Sequence, residues 1–245
     1  LRRSGEENTI RQSQSGNLTV DRTGALTAKL RHGELKAHGI KGDVDVEGEH
    51  AELEIGDVEG ALRCQTSFRD TNVERVKGEV TLTGTRGALR AQEIGGALRA
   101  QTDFADIELE RIAGRVEATV SHGALRAKGL AAGAKLKSSG GPIEVEGFKG
   151  EISAEAERGG VSLVAEGALE APVTASAKHG NVELDLPSGG RVRVEASSRK
   201  GHVDVDLPGF EATTTSEDRV LGRVGDGAIE VRLDADHGDV KVDTH

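Results

Sequence analysis

A glycine recurs every 18 residues between residues 24 and 150 of this chain, and seven of the eight positions in that series are Gly. The series is Gly24, Gly42, Gly60, Gly78, Gly96, Gly114, Ala132 and Gly150. A repeat of this length is too short for a strand–helix–strand crossover. It is typical of a solenoid, in which each repeat forms one coil and stacks on the next.

Each repeat contains two short patterns of alternating apolar and polar residues. The first follows the glycine directly, as in Val80-Thr81-Leu82, and the second comes later, as in Leu53-Glu54-Ile55. Period-2 alternation indicates a strand with one buried face. The sequence therefore predicts an all-β fold: a single-stranded, right-handed parallel β-helix (β-solenoid) with coils of about 18 residues. The right hand follows from the usual handedness of parallel crossovers.

The composition indicates that the core of this solenoid is narrow. The chain has 34 Gly and 4 Phe and no Met, Trp or Tyr, so Val, Leu, Ile and Ala must fill the interior. Cys64 is the single cysteine, which excludes an internal disulfide. It falls in an inward column, so we predict that it is a small core residue.

The repeat frame divides the chain into three parts. We predict a polar N-terminal segment or cap over residues 1–15 and the regular solenoid over residues 16–167. Residues 168–245 keep the strand–glycine–strand pattern and are predicted to form longer C-terminal coils of the same solenoid. Residues 210–225 interrupt these coils, and we expect a loop or capping excursion there because exposed edge strands recruit other chains.

The charge pattern excludes several classes of partner. A net charge of −10 without a basic, aromatic-rich stripe argues against nucleic acid, and we expect no cofactor. No apolar run approaches the roughly 20 residues of a membrane span, so we expect no membrane insertion within this chain. The outward columns carry both signs of charge, which is typical of a solvated face. We expect a monomer or a weak oligomer.

Several segments resemble the bacterial "putative adhesin" β-strand-repeat domains, also called toast-rack-like domains. They are TSFRDTNVERVKGEV, TDFADIELERIAGRV, SSGGPIEVEGFKG and the closing SSRKGHVDVDLPG with GDGAIEVRLDADHGDVKV. The resemblance implies a right-handed β-helix placed outside the cytoplasmic membrane behind an N-terminal signal or anchor, although a cytoplasmic location stays open. It supplies no catalytic residues, and a fold alone does not define a function.

Histidine–glycine pairs mark several turns and at first resemble acid/base or metal sites. They begin at His32, His122, His179 and His237, and the last lies in the acidic stretch DADHGDVKVD. Other repeats hold Arg, Lys or Gly in the histidine position, as in Arg86-Gly87, Gly140-Gly141, Arg158-Gly159 and Lys200-Gly201. Because the histidine is replaceable, we interpret these pairs as turns.

One cluster nevertheless has the chemistry of a metal site. His32 and His50 occupy the same column in adjacent coils, and Glu34, Glu52 and Asp70 stack two positions later in successive coils. Imidazole and carboxylate groups together suit a divalent metal. The alternative is an exposed acidic corner that holds cations weakly.

Three functional hypotheses remain after these exclusions. The leading one is a non-enzymatic cell-envelope scaffold or adhesin-like binding module that presents a rigid charged surface to an unidentified protein or envelope component. The alternatives are a self-assembling, bactofilin-like filament and a polysaccharide-active β-helix enzyme. Phe68 and Phe104 share one column, where corner packing competes with a role as a binding platform. No nucleophile elbow, phosphate loop or zinc signature supports an enzyme.

Overall fold

The computed structural model describes residues 8–13 and 16–244, which fall into two compact units divided between Thr119 and Val120. The strands of the first unit are β1 (Asn8–Ser13), β2 (Gly16–Thr23), β3 (Leu26–Ile40), β4 (Val44–Val58), β5 (Leu62–Thr66), β6 (Thr71–Val76), β7 (Val80–Gly84), β8 (Leu89–Ile94), β9 (Leu98–Thr102) and β10 (Ile107–Ile112), and β11 (Val116–Val120) contains the division. The described residues form no helix, so none is present that could cross a membrane.

The second unit contains thirteen further strands. They are β12 (Leu125–Leu130), β13 (Gly133–Ser138), β14 (Ile143–Phe148), β15 (Glu151–Arg158), β16 (Val161–Val164), β17 (Val173–His179), β18 (Val182–Leu186), β19 (Val192–Ser198), β20 (Val203–Val205), β21 (Phe210–Thr215), β22 (Arg219–Val224), β23 (Ile229–His237) and β24 (Val240–Thr244).

Strands of the first unit pair in parallel with the strand one repeat further along the chain. Leu35 of β3 pairs with Leu53 of β4, and Thr71 of β6 pairs with Leu89 of β8, which pairs in turn with Ile107. Each of these pairs joins residues 18 positions apart. The predicted all-β parallel solenoid with coils of about 18 residues is therefore confirmed.

The inward columns form a thin aliphatic core in each unit. Val80 and Leu82 are each about 1% exposed, whereas Thr81 between them faces outward. Cys64 is buried in the same column, as its position in the repeat predicts. Phe148 is the largest fully buried side chain of the described residues, and the others of that set are Leu or Ile. Small inward side chains keep the two walls of each coil close together.

The number of residues per coil increases in the second unit after β16. Val161 pairs with Val182, a separation of 21 rather than 18 residues. The three additional residues fall in the segment 165–172, which forms no strand and where the sequence frame also slips. Ile152 of β15 likewise pairs with Val173 of β17. The coil grows at a corner, and the strands themselves keep their pairing.

The order of the C-terminal coils in space differs from their order in the sequence. β17 pairs with β23, and β23 pairs on its other side with β19, all in parallel. β24 likewise pairs with both β18 and β20. The last coil of the chain, β23–β24, thus lies between the coil of β17–β18 and the coil of β19–β20. The expectation that each coil pairs with its successor in the sequence fails here.

A β-hairpin covers the outer edge of the β19–β20 coil, along β19. β21 and β22 pair antiparallel, and β22 also pairs antiparallel with β19, with Ala196 opposite Val220. Phe210 packs over Gly222, where an added Cβ would overlap the ring. The excursion predicted over residues 210–225 is therefore an ordered hairpin on the edge of β19, a placement that blocks further parallel pairing.

The predicted N-terminal segment or cap, residues 1–15, lies outside the described residues apart from β1, which pairs with β3. The sequence-based boundaries after residues 15 and 167 stay predictions.

Candidate functional site

The residues of the predicted metal site lie close together in the first unit. His32 pairs with His50 and Glu34 with Glu52 in the register of β3 and β4. The two imidazole rings stack with centroids 5.1 Å apart and planes 20° apart. Because the lone pair of an imidazole nitrogen lies in the ring plane, stacked rings do not point toward an ion between them.

Two carboxylates of this cluster have other partners. Glu34 contacts Nζ of Lys36 at 2.9 Å, and Asp70 accepts a hydrogen bond from the backbone N–H of Ala88 at 3.0 Å. Asp70 also pairs with Arg90 at 3.2 Å. Residues 16–244 contain no group of three or more His, Cys, Asp or Glu side chains arranged to hold a metal ion. The metal site stays a prediction that these contacts do not support.

The histidine column continues as a ladder of planar groups, which we call the corner ladder. It comprises His32, His50, Phe68, Arg86 and Phe104. Phe68 stacks on His50 with centroids 4.4 Å apart, and the Arg86 guanidinium lies 5.0 Å from the centre of the same ring. Phe68 and Phe104 are 42% and 55% exposed. Neighbours occupy both faces of Phe68, so it fits corner packing better than a platform for a ligand.

The corresponding corner of the second unit carries two cationic side chains with two imidazoles between them, a row that we call the basic stack. It comprises Arg158, His179, His237 and Lys200, in this spatial order. Arg158 pairs with His179, and His179 with His237, in successive strands, with the two imidazole centroids 4.8 Å apart. Nζ of Lys200 lies 2.9 Å from Nε2 of His237. The stack unites residues from four strands or turns that are far apart in sequence.

The acids around His237 have structural partners. Asp236 pairs with Arg199 at 2.7 Å, and Asp234 accepts a hydrogen bond from the Ser197 hydroxyl at 2.8 Å. Asp239 accepts a hydrogen bond from the backbone N–H of His202 at 2.9 Å, so it joins two neighbouring coils. The stretch that resembles an acid/base site in the sequence comprises the end of β23, a turn at Gly238 and Asp239, and most of β24.

Buried hydroxyl groups beside the turn glycines of the second unit, at the same corner as the basic stack, were not recognised in the sequence. Ser138 accepts a hydrogen bond from the N–H of Gly141 at 3.1 Å and donates one to the Gly141 carbonyl at 2.8 Å. Ser198 accepts a bond from the N–H of Gly201 and donates one to the carbonyl of Gly238. The available signal is a Ser three residues before the turn glycine, and its role is to satisfy backbone groups inside the turn.

The outward rows are joined along the solenoid by ion pairs between equivalent residues of neighbouring coils. These pairs include Lys29–Glu47, Lys77–Glu59, Arg90–Glu108, Arg99–Glu117, Arg126–Glu144 and Lys137–Glu155. The hydrogen bond from Arg75 lowers the pKa of Asp57, and the one from Lys178 lowers the pKa of Glu157. Exposed pairs of this kind stabilise a fold only weakly, but their regular spacing repeats charges of both signs along the outward rows.

One shallow groove of about 420 Å³ runs across the first unit. It is lined by polar side chains that include Gln65, Ser67 and Thr83, together with two charged pairs. Its carboxylates belong to those pairs, Lys29–Glu47 at 2.8 Å and Arg31–Glu49 at 3.8 Å. The groove can therefore offer hydrogen bonds, while its acids are already engaged with cations.

The geometry defines the protein as a parallel β-solenoid with charged, ion-paired faces. The family model described as Toastrack DUF4097 matches residues 6–243, so this chain belongs to the Toastrack family. A solved structure of a putative cell adhesion protein from Clostridium sporogenes is similar at 12% identity and a TM-score of 0.36, covering 60% of this chain and 92% of that one. No curated protein matches the sequence.

Proposed function

We propose that this chain is a non-enzymatic, adhesin-like binding module or scaffold of the bacterial cell envelope. Its solenoid would present ordered outward rows to a protein or polymer outside the cytoplasmic membrane. The observation that carries the proposal is the series of ion pairs between neighbouring coils, such as Arg99–Glu117 at 2.8 Å. A surface ordered in this way binds with a smaller loss of side-chain entropy.

The polar groove supports binding rather than hydrolysis. Hydrolysis of a glycan commonly requires two carboxyl groups that act as acid, base or nucleophile at the scissile bond. Glu47 and Glu49, the carboxylates that line this groove, are each paired with a cation. Both carboxylates of the groove therefore already have an ionic partner, which supports binding over hydrolysis.

The hairpin supports a capped end rather than a filament. β22 pairs with the edge of β19 in the antiparallel direction, whereas end-to-end growth of a solenoid requires a parallel strand there. A monomer or weak oligomer is therefore expected. Sedimentation at high concentration tests this expectation, and long assemblies visible by electron microscopy would favour the filament alternative.

Cosedimentation with insoluble bacterial envelope material tests the proposed function. Labelled protein should bind saturably, unlabelled protein should compete for the same sites, and no new reducing ends should be released. Binding that does not saturate would contradict the module. Release of soluble sugar would instead favour the enzyme.

A further inference from the structure

The basic stack of the second unit begins with the Arg158 guanidinium and ends with the Lys200 ammonium, and it holds two imidazoles and no acid between them. Its four members follow one another at the spacing of neighbouring strands, so the row is about 14 Å long. Arg158, His179 and Lys200 are exposed, and His237 is half-buried. This row stands out on a chain whose net charge is −10.

A row of glycines borders one side of the stack. Each member is followed directly by a glycine, and the four are Gly159, Gly180, Gly238 and Gly201. Their backbones stack so closely that a Cβ on Gly238 would overlap the carbonyl group of Gly180. Beside this row, the side-chain oxygens of Asn181 and Asp239 accept hydrogen bonds from the backbone N–H groups of Asp239 and His202, so the Asp239 carboxylate is already engaged.

The residues that directly precede the four members of the basic stack form a row on its other side. This row contains two acids, and each acid is paired with a cation of the same row. Glu157 is held by Lys178 at 2.9 Å, and Asp236 is held by Arg199 at 2.7 Å. These two pairs contribute no net charge. The charges of Arg158 and Lys200 are therefore not balanced by this flanking row.

The hydrogen-bonding groups of the stack also favour an anionic ligand. The Lys200 ammonium can donate to Nε2 of His237 only when that nitrogen carries no proton, which places the ring proton on Nδ1. Nδ1 of His237 is buried and does not reach a surface ligand, so the donors available to one are the Arg158 guanidinium and the Lys200 ammonium. Each of these donors can form a charge-assisted hydrogen bond with a carboxylate. A carboxylate beside this row would supply the missing negative charge.

We propose that the basic stack binds an acidic polysaccharide whose carboxylates follow one another along a thin chain. The inference rests on the proposed function and names the ligand class for one surface of the module. A narrow row fits such a chain better than a membrane or a duplex, since the net negative charge of the protein repels broad anionic surfaces.

Titration of the whole chain with polygalacturonate, which carries one carboxylate per sugar, tests the proposal. The buffer should contain a chelator, so that divalent cations cannot bridge protein and polymer. We expect saturable binding that weakens as salt is added, and no binding of the fully methyl-esterified polymer. Equal binding of both polymers would overturn the proposal.

A matched pair of double variants locates the site. The double variant Arg158→Gln and Lys200→Gln should bind polygalacturonate about tenfold more weakly, because it loses two charge-assisted contacts. The control Lys135→Gln and Lys149→Gln removes the same charge from other exposed positions of the second unit and should retain binding. The swap Arg158→Lys with Lys200→Arg should also retain it. Circular dichroism melts establish that each variant is folded.

Two outcomes separate this proposal from the proposed function. If the stack and control variants lose affinity equally, or if the native chain does not bind polygalacturonate, the stack is not the site. Envelope binding that persists in either case would leave the module intact. Failure of the native chain to bind envelope material saturably would contradict the proposed function itself.

Discussion

Val173 of β17 pairs in register with Val231 of β23, although five strands, β18 to β22, lie between them in the sequence. Ile229 of the same strand pairs on the other side with Val192 of β19. The outer coil, β19–β20, therefore precedes the inner coil, β23–β24, in the sequence. The inner coil lies between the outer coil and the coil of β17–β18. The same insertion brings His237 beside Lys200 and so creates half of the basic stack.

The position of the inserted coil predicts that its buried residues contribute more to the stability of the fold than those of the outer coil, which precedes it in the sequence. Val231 is fully buried between two strands, whereas Val203 of the outer coil is only half-buried. Val231→Ala should lower the free energy of unfolding by about 2 kcal/mol, and Val203→Ala by less than about 1 kcal/mol. Urea unfolding measures both. A larger loss for Val203→Ala would indicate that the coils stack in the order of the sequence.

The inward and outward columns predict opposite responses to a carboxylate. Val80→Asp places a charge without a partner in the core and should unfold or fragment the solenoid. Thr81→Asp lies in register between Arg63 and Arg99, so it should be neutral or slightly stabilising. Thermal melts compare the two variants. Equal tolerance of both substitutions would refute the assignment of the faces.

The buried hydroxyl groups should contribute measurably to stability. Ser138→Ala leaves the N–H of Gly141 without its acceptor and should cost about 1–3 kcal/mol. Ser153→Ala, on the outward face of β15, is the matched control and should cost little. Urea unfolding of the two variants measures the difference. Similar losses would mean that the turn does not depend on the hydroxyl.

Cys64 should be inert in the folded protein. Burial raises the pKa of its thiol to about 12, so little reactive thiolate is present near neutral pH. A disulfide reagent at pH 8 should react rapidly with the chain in urea and only as fast as opening allows in its absence. Rapid stoichiometric reaction of the native chain would show that this column is accessible.

The repeat predicts much of the fold because glycine spacing and alternation act together. Gly78 marks a corner, and the alternation at Val80, Thr81 and Leu82 then determines which side chains face inward. The order of the last coils was not predictable in this way. The coils of β19–β20 and β23–β24 each have two glycines eleven residues apart, at Gly190–Gly201 and Gly227–Gly238. The sequence therefore does not show which of the two coils lies next to the coil of β17–β18.

The candidate sites were predicted less well because they depend on neighbours rather than on residue type. His32 and His50 were recognised as a pair because they lie one repeat apart, but their ring stacking follows from rotamers that spacing does not define. The basic stack was missed since His237 and Lys200 become neighbours only through the inserted coil. Ser138 was missed because its one signal, a Ser three residues before a turn glycine, occurs at only two of the turns, before Gly141 and before Gly201.

Zero-length carbodiimide crosslinking to envelope material tests most directly whether the basic stack is the surface by which this chain binds. The reagent joins an amine to a carboxylate only where the two are in contact. We predict that the amine of Lys200 becomes linked to envelope polymer and that Lys135, exposed on another row, does not. Saturable binding with crosslinks at Lys135 but none at Lys200 would contradict this account.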